Sequence, residues 1–295
     1  MKPTSRFVRM PKHFWANVRS LSQHLGYTNR KTSQIKVHDL AEIAKALGEL
    51  GLSTTHILDS AGKPTAIGKN LVAYFAYRAD VLNNFVEPKL MDAKKAEKIY
   101  KRVRKETGSK LPVVMNKQKG DKQKPAYLTN IVNWLIEANV GGLDFDYNPG
   151  ELTTFTRDGA PLRTLARRVD GAFPSTVNPV AVWENKEYYH TTTFGSRVAD
   201  GVYETLLDGM ELEELLQSEG IECKHYMFVD AHFTWWAKGR SYLCRIVDML
   251  HMGYVDEVLF GTEILDRMPK IAQEWVAMHK ARKKPKKKVL HAPNH

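Results

Sequence analysis

Between residues 128 and 260 the chain alternates between helical and strand patterns, and few folds accommodate that order. Apolar residues recur at helical spacing in three segments and form short alternating or continuous apolar runs in five others. The predicted helices are 128–139, 196–218 and 242–252, and the predicted strands are 152–156, 164–170, 180–189, 226–229 and 255–260. The order α-β-β-β-α-β-α-β predicts an α/β fold, in which a mixed sheet is flanked by helices.

The first 115 residues show helical patterns without strands. Apolar spacing predicts helices at 37–52 and 65–85, a short helix at 53–58, and a basic helix at 93–105. Three helices joined by short turns are compatible with a helix-turn-helix or winged-helix unit that reads DNA. They are equally compatible with a small helical bundle that has no DNA-binding role, so both interpretations stay open.

A segment at 116–126 is rich in Lys, Gln and Gly and nearly free of apolar residues, which is typical of a linker or exposed loop. Its cations are candidates for contacts with nucleic acid, and they are Lys117, Lys119, Lys122 and Lys124. The predicted organisation is a basic helical domain at 1–115, a linker at 116–126, an α/β domain at 127–279 and a basic disordered tail at 280–295.

Charge is distributed unevenly along the chain. The formal net charge is +15 over residues 1–126, −11 over 127–279 and +7 over 280–295. Cationic segments bind polyphosphate well because each neutralised phosphate releases condensed counterions, which predicts a nucleic-acid partner. The alternative is that the lysines only solvate exposed loops. An acidic middle segment would repel DNA unless a metal ion offset part of its charge.

Two observations indicate in which cellular compartment the protein is found. No segment approaches the ~20 consecutive apolar residues that a membrane helix needs, and the N-terminus has no apolar stretch of signal-peptide length. Cys223 and Cys244 have no paired spacing that suggests a zinc site or a disulfide framework. We therefore expect a cytoplasmic protein that makes no membrane contact, with both cysteines as buried thiols.

The candidate catalytic residues lie in the segment AVWENKEYY and at an aspartate upstream of it. Asp170 closes a predicted strand and is followed by Gly171, and Glu184 and Lys186 share one face of the next strand, roughly 7 Å apart. If these strands are neighbours, two carboxylates and one ammonium group converge. Mg²⁺ prefers carboxylate oxygens, and a bound Mg²⁺ lowers the pKa of its water and stabilises charge at a phosphate. Lys186 would orient or deprotonate that water, or offset phosphate charge; work as a base requires a lowered pKa.

In this arrangement the chain resembles the PD-(D/E)xK nuclease superfamily, which includes many type II restriction endonucleases. The resemblance rests on Asp170 and on Glu184-Asn185-Lys186, with Val169 where the motif name has proline. It implies a restriction-endonuclease-like core, catalysis by Asp170, Glu184 and Lys186, and Mg²⁺, or Mn²⁺ in its place, held by the two carboxylates. Members often carry a further acid on the first helix, for which Glu137 is the candidate here.

The resemblance implies an endonuclease that hydrolyses double-stranded DNA, of a type II restriction kind. Cleavage of both strands would usually need a homodimer, because two sites must address two strands. Several alternatives stay open. The Glu184 and Lys186 pair could lie solvated on an edge strand, and Asp144 and Asp146 could form a competing metal site. The protein could also be a repair or transposon-associated nuclease, or a noncatalytic DNA-binding or regulatory protein.

Overall fold

The computed structural model describes residues 1–8, 10–29, 31–116, 118–120, 123–190 and 195–283. Its eight α-helices within those ranges are α1 (Lys12–Leu25), α2 (Leu40–Glu49), α3 (Ala66–Asp80), α4 (Ala93–Thr107), α5 (Tyr127–Glu137), α6 (Ser196–Glu219), α7 (Arg240–His251) and α8 (Glu263–Lys283). The strands are β1 (Thr154–Arg157), β2 (Ala160–Thr164), β3 (Gly171–Phe173), β4 (Ala181–Glu187), β5 (Lys224–Asp230) and β6 (Glu257–Phe260). Both helices and strands follow from α5 onward, as predicted.

A four-stranded sheet in the order β3-β4-β5-β6 forms the centre of the protein. Strand β3 runs antiparallel to β4, while β4, β5 and β6 are parallel, so the sheet is mixed. Helix α6 connects β4 to β5 and helix α7 connects β5 to β6. One face packs against α5 and α8, and the other packs against α6 and α7. The α/β prediction with a mixed sheet between helices is confirmed.

Strand β4 lies inside the sheet and is buried along most of its length. Trp183 packs on the α8 side, where its ring stacks on Trp275 at 5.1 Å between centroids. Its register partner on β3 is Gly171, where a Cβ atom would lie 2.0 Å from the Trp183 ring. Because side chains alternate between faces, Glu184 and Lys186 point to the opposite side, toward α6.

The predicted strand at 164–170 is wrong. Strand β2 ends at Thr164 and pairs only with β1, and an irregular segment leads from Leu165 to β3. The reason lies in Asp158 and Gly159, which both have positive φ, at 52° and 83°. This Asp-Gly turn closes a two-residue hairpin, so β1 and β2 form a separate two-stranded sheet.

The N-terminal helices form their own core. Side chains from α1, α2 and α3 pack together, and Phe14, Leu47 and Leu71 are fully buried there. The predicted short helix at 53–58 is wrong: this segment forms a turn, and Leu58 pairs with Pro64 in an isolated bridge. A helix-turn-helix unit built on 53–58 is therefore not present.

A buried ion pair connects this helical part to the α/β part. Arg78 of α3 is fully buried, and its Nη1 lies 3.0 Å from both carboxylate oxygens of Asp248 on α7. Tyr74 donates its hydroxyl hydrogen bond to the same carboxylate at 2.6 Å. Removing one partner of such a pair leaves a buried charge uncompensated, so the contact fixes the two parts against each other.

In its described residues, the segment predicted as a linker brings its two ends together, and we call it the hairpin. The backbone N–H of Asn116 donates to the carbonyl of Lys124 at 2.8 Å. Asn130 on α5 anchors the hairpin, since its side chain accepts from the N–H of Val114 and donates to the Val114 carbonyl. Helix α4, which precedes the hairpin, shares a core with α5 and the sheet. The division of the chain at 116–126 stays a prediction.

The C-terminal basic segment begins inside α8, which continues to Lys283. Arg282 donates to the carbonyl of Pro179 at 2.7 Å, so the start of the predicted tail is packed against the sheet region. The rest of the predicted tail, 284–295, lies outside the described residues. Among the helices that the structure describes, none has the length and apolar character required to cross a bilayer.

Candidate functional site

Asp170 and Glu184 lie side by side where β3 meets β4. The backbone N–H of Asp170 donates to Glu184 Oε1 at 3.2 Å, and the backbone N–H of Asn185 donates to Asp170 Oδ2 at 2.8 Å. Asp170 precedes β3 and does not close an earlier strand, contrary to the prediction. Pairing of β3 with β4 nevertheless brings it beside Glu184, so the structure brings the two predicted carboxylates together.

Lys186 joins them on the same face of β4. Its Nζ lies 2.6 Å from Glu184 Oε2, and the side chains of Glu184 and Lys186 are 0% and 7% exposed. Two residues apart on a strand, they point the same way, as the alternation of side chains predicts. The alternative of a solvated surface pair on an edge strand is therefore wrong, because β4 is an inner strand and both side chains are buried.

Arg167 was not predicted, and it completes the cluster. Its guanidinium contacts both oxygens of Glu184, Nη1 to Oε1 at 2.9 Å and Nη2 to Oε2 at 3.1 Å. Nη1 also lies 2.6 Å from Asp208 Oδ2, and Nη2 lies 3.4 Å from Glu204 Oε2. Arg167 thus connects the sheet to helix α6, because its planar guanidinium group can donate to several carboxylates at once.

The charges of the cluster support one another. Burial lowers the pKa of the Lys186 ammonium, but Glu184 and Asp170 outweigh it and hold that pKa above its ordinary value. Burial likewise raises the pKa of Glu184, yet Lys186 and Arg167 lower it below its ordinary value. Lys186 is therefore a cation and Glu184 an anion at neutral pH. A general base needs a lowered pKa, so the predicted role of Lys186 as a base is not favoured in this arrangement.

Asp208 on α6 is the second buried carboxylate of the cluster. Burial raises its pKa to about 7, with a further rise from Glu184, while Arg167 opposes both. Its Oδ1 atom has no hydrogen-bond partner in the described structure. Four carboxylates surround two cations in this cluster, which leaves a net charge of −2 when all are ionised. The carboxylates are Asp170, Glu184, Glu204 and Asp208, and the cations are Arg167 and Lys186.

The cluster forms one wall of a cleft of about 400 Å³. Asp170, Arg167 and Lys186 line this cleft, whereas Glu184 lies behind them and is fully buried. The cleft is also lined by Asn116 of the hairpin and by Thr129 at the start of α5. The site is thus open to a ligand on the side of Asp170 and Lys186.

Two further acids, the half-buried Glu187 and the buried Asp230, lie at the C-terminal ends of β4 and β5. Glu187 lines the cleft and accepts the backbone N–H groups of Leu128 and Thr129 at the start of α5, and burial raises its pKa to about 8. Asp230 accepts the N–H of Met91 at 2.7 Å and the hydroxyl of Tyr189, and burial raises its pKa to about 7.

Other predicted residues lie elsewhere. Glu137 is at the C-terminal end of α5, about 14 Å along the helix axis from Leu128, which contacts the cleft residue Glu187. The structure therefore does not bring Glu137 to the site. Asp146 pairs with the outer edge of β3 and accepts the N–H of Thr176, so the alternative acidic pair at 144–146 is separate from the cluster.

The predicted nucleic-acid contacts divide into two groups. Lys119 and Lys124 are exposed on the hairpin whose base lines the cleft. Lys117 and Lys122 lie outside the described residues. The hairpin position agrees with a role at the rim of the cleft, while the contact with nucleic acid stays a prediction.

A hard divalent cation fits the site in donor chemistry. Asp170 and Glu184 supply carboxylate oxygens, and the excess negative charge of the cluster favours a cation. Such an ion would compete with Lys186 and Arg167 for Glu184. Within the described ranges, no group of three or more His, Cys, Asp or Glu side chains is arranged as a metal-binding set.

The sequence contained one signal for the residues that were missed. Glu204, Asp208 and Glu211 recur at spacings of four and three on α6, so they share one face of the helix. That face receives the segment before Asp170: Asp208 contacts Arg167, and Glu211 accepts the backbone N–H of Ala166 at 3.0 Å. An acidic helix face and two arginines four residues apart, Arg163 and Arg167, could have suggested this contact.

Two family matches cover most of the chain. Residues 1–85 match the family described as Domain of unknown function (DUF7690), and residues 91–275 match the family described as Domain of unknown function (DUF7687). No curated protein and no solved structure matches the chain. The second match covers more than half of the chain and includes the whole cluster around Glu184. The protein therefore belongs to the DUF7687 family.

Proposed function

We propose that the protein is a Mg²⁺-dependent endonuclease that hydrolyses phosphodiester bonds of double-stranded DNA, of a type II restriction kind. One observation carries the proposal: Asp170, Glu184 and Lys186 meet beside a cleft, with Asp170 and Lys186 lining it. Two carboxylates and one cation at a cleft form the set that a metal-assisted phosphodiesterase needs.

The arrangement of strands supports a restriction-endonuclease-like core. Asp170 precedes β3, the Glu-Asn-Lys segment lies on the adjacent antiparallel β4, and α6 leads to the parallel strand β5. This is the order that the resemblance to the PD-(D/E)xK superfamily implies for its motif strands. The β1-β2 hairpin lies outside this sheet and is a local departure from the expected order.

Each side chain of the cluster has a role that follows from its position. Asp170 and Glu184 would hold Mg²⁺, or Mn²⁺ in its place, which lowers the pKa of bound water and offsets charge at the phosphate. Lys186 lines the cleft as a cation and would contact a phosphate oxygen there, where charge develops during cleavage. Arg167 holds the Glu184 carboxylate in place from the α6 side.

The charge of the surroundings supports nucleic acid as the substrate. Residues 1–126 carry +15, and this part includes the hairpin at the rim of the cleft. Exposed cations beside an acidic catalytic cluster would bind the phosphate backbone while the cluster cleaves one phosphodiester bond. The proposal includes a homodimer, in which each of the two sites cleaves one DNA strand. It also includes a cytoplasmic location.

Incubation of the purified protein with plasmid and phage DNA tests it directly. We expect discrete fragments in Mg²⁺ or Mn²⁺ and none in EDTA, and sedimentation with a cognate duplex should show two chains per duplex. A gel shift without cleavage in any divalent ion would favour the noncatalytic DNA-binding alternative instead. Random nicking of single-stranded or damaged DNA would favour a repair nuclease.

A further inference from the structure

Helix α4 carries a row of lysines along its solvent side. Ala96, Tyr100 and Val103 bury the opposite side against the core that contains α5. Four of the five exposed lysines of α4 follow the spacings four, three and four, so these four lie in one line along the helix. They are Lys94, Lys98, Lys101 and Lys105, and we call them the α4 lysine row.

The row has the length and charge for a duplex backbone. From Lys94 to Lys105 it spans about 17 Å. Duplex DNA carries roughly one negative charge per 1.7 Å, so this length faces several phosphates. Over Ala93–Thr107 seven cations stand against two glutamates, Glu97 and Glu106.

The helix that carries the row adjoins the cleft. Tyr100 of α4 contacts the ring of Tyr127 at 5.4 Å between centroids, and Tyr127 contacts the ring of His190 at 5.7 Å. His190 lines the cleft. Glu97 forms an ion pair with Lys101 of the row at 2.7 Å, and it also interacts electrostatically with Lys124 of the hairpin and with His190. The lysine row, the hairpin and the cleft thus follow one another over the surface.

We infer that the α4 lysine row, and not the N-terminal helical segment, is the main surface that holds the duplex phosphate backbone and leads it to the cleft. The inference rests on the proposed function, since it names where the substrate lies. The exposed lysines of the N-terminal segment offer no comparable line. They are spread over the first residues, three helices and two turns, and are Lys2, Lys12, Lys31, Lys45, Lys63 and Lys69.

Two matched quadruple variants test this. One replaces the row by Lys94→Gln, Lys98→Gln, Lys101→Gln and Lys105→Gln; the control carries Lys12→Gln, Lys45→Gln, Lys63→Gln and Lys69→Gln. Both remove four charges from exposed positions, so both should fold, as circular dichroism will check. A third variant with arginine at the four α4 positions keeps the charge.

Binding of a fluorescent 30-base-pair duplex is measured by anisotropy in EDTA, over a range of salt concentrations. Loss of four phosphate contacts should reduce the slope of log Kd against log salt by about 3 to 4 and weaken binding at least tenfold near 0.1 M salt. The control should change the slope by less than about 1, and the arginine variant should bind like the unaltered protein.

Three results would overturn the inference: equal slopes for the two glutamine variants, a larger loss of affinity in the control than in the α4 variant, or no binding of the duplex by the unaltered protein. Because binding is measured without a divalent ion, the result is independent of cleavage. Failure to cut DNA in Mg²⁺ or Mn²⁺ would contradict the proposed function alone. Where cleavage occurs, the α4 variant should show a raised KM and an unchanged kcat.

Discussion

Asp170 and Glu184 position each other through the backbone. The N–H of Asp170 donates to Glu184 Oε1 at 3.2 Å, while Asp170 Oδ2 accepts the N–H of the residue after Glu184 at 2.8 Å. Each carboxylate is therefore fixed by the strand segment that carries the other. Because β3 and β4 are paired in register, this geometry depends on the sheet and not on flexible side chains.

Lys186→Ala should lower the cleavage rate by about 10²- to 10³-fold, because it removes the cation that faces the cleft at a position where charge develops. Binding of duplex DNA in EDTA should change little. The measurement is single-turnover cleavage with saturating protein. Lys270→Ala, an exposed lysine on α8, is the control and should cleave normally. Equal rates for the two variants would remove Lys186 from the mechanism.

Gly201→Ala should impair cleavage without unfolding the protein. A Cβ atom at Gly201 of α6 would lie 2.8 Å from the Tyr188 hydroxyl and 3.2 Å from Lys186 Cδ, so the tyrosine must shift and the lysine must give way slightly. We expect at least a tenfold loss of rate, because small misplacements of a reacting group are costly. Gly48→Ala in α2 is the control: it meets no atom within 4 Å and should raise the free energy of unfolding by up to about 1 kcal/mol. Full activity of the Gly201 variant would show that Lys186 tolerates displacement.

Arg167→Lys should lower both stability and cleavage. A lysine keeps the charge but cannot contact Glu184 through two nitrogens and Asp208 at the same time. Because Glu184 and Asp208 would then be incompletely paired, the free energy of unfolding should fall by about 1 to 3 kcal/mol. Urea denaturation at pH 7.5 measures it. Arg168→Lys, at the exposed neighbouring position, should have no measurable effect. If both variants unfold alike, the contact of Arg167 with α6 does not stabilise the protein.

Asp230 should make the folded protein less stable as the pH rises from about 4 to 7. Its pKa is raised from 3.8 to about 7, so in this window the folded state binds more protons than the unfolded state, and stability falls with increasing pH. Asp230→Asn keeps an acceptor for Met91 and Ala231 and cannot ionise.

The free energy of unfolding of the unaltered protein, minus that of Asp230→Asn, should therefore fall by about 2 to 4 kcal/mol from pH 4 to pH 7. Urea denaturation at several pH values in EDTA measures it. A difference that is constant with pH would mean that Asp230 is ionised in the folded protein, contrary to its burial.

The α/β class and most helices and strands of the second part of the chain could be predicted from the sequence, and so could the proximity of Asp170 to Glu184 and Lys186. Helical and strand periodicities are local, so they identified β4, β5 and β6 of the central sheet but not β3. The alternation of side chains along a strand placed Glu184 and Lys186 on one face. The prediction failed where two locally plausible patterns competed. The segment before Asp170 has the pattern of a strand, but the Asp-Gly turn at 158–159 pairs β1 with β2, and the segment after β2 is left without a strand to pair with.

What only the tertiary structure decided is which distant groups surround that site. Arg167 and Asp208 are 41 residues apart, and they meet because α6 crosses the sheet beside the segment that precedes β3. Glu137 is separated from the cleft because it lies at the far end of α5. The hairpin and α4 lie beside the cleft through packing on α5. Local periodicity specifies which face a side chain occupies within its element, but contacts between elements depend on how those elements pack, and no short stretch of sequence encodes that.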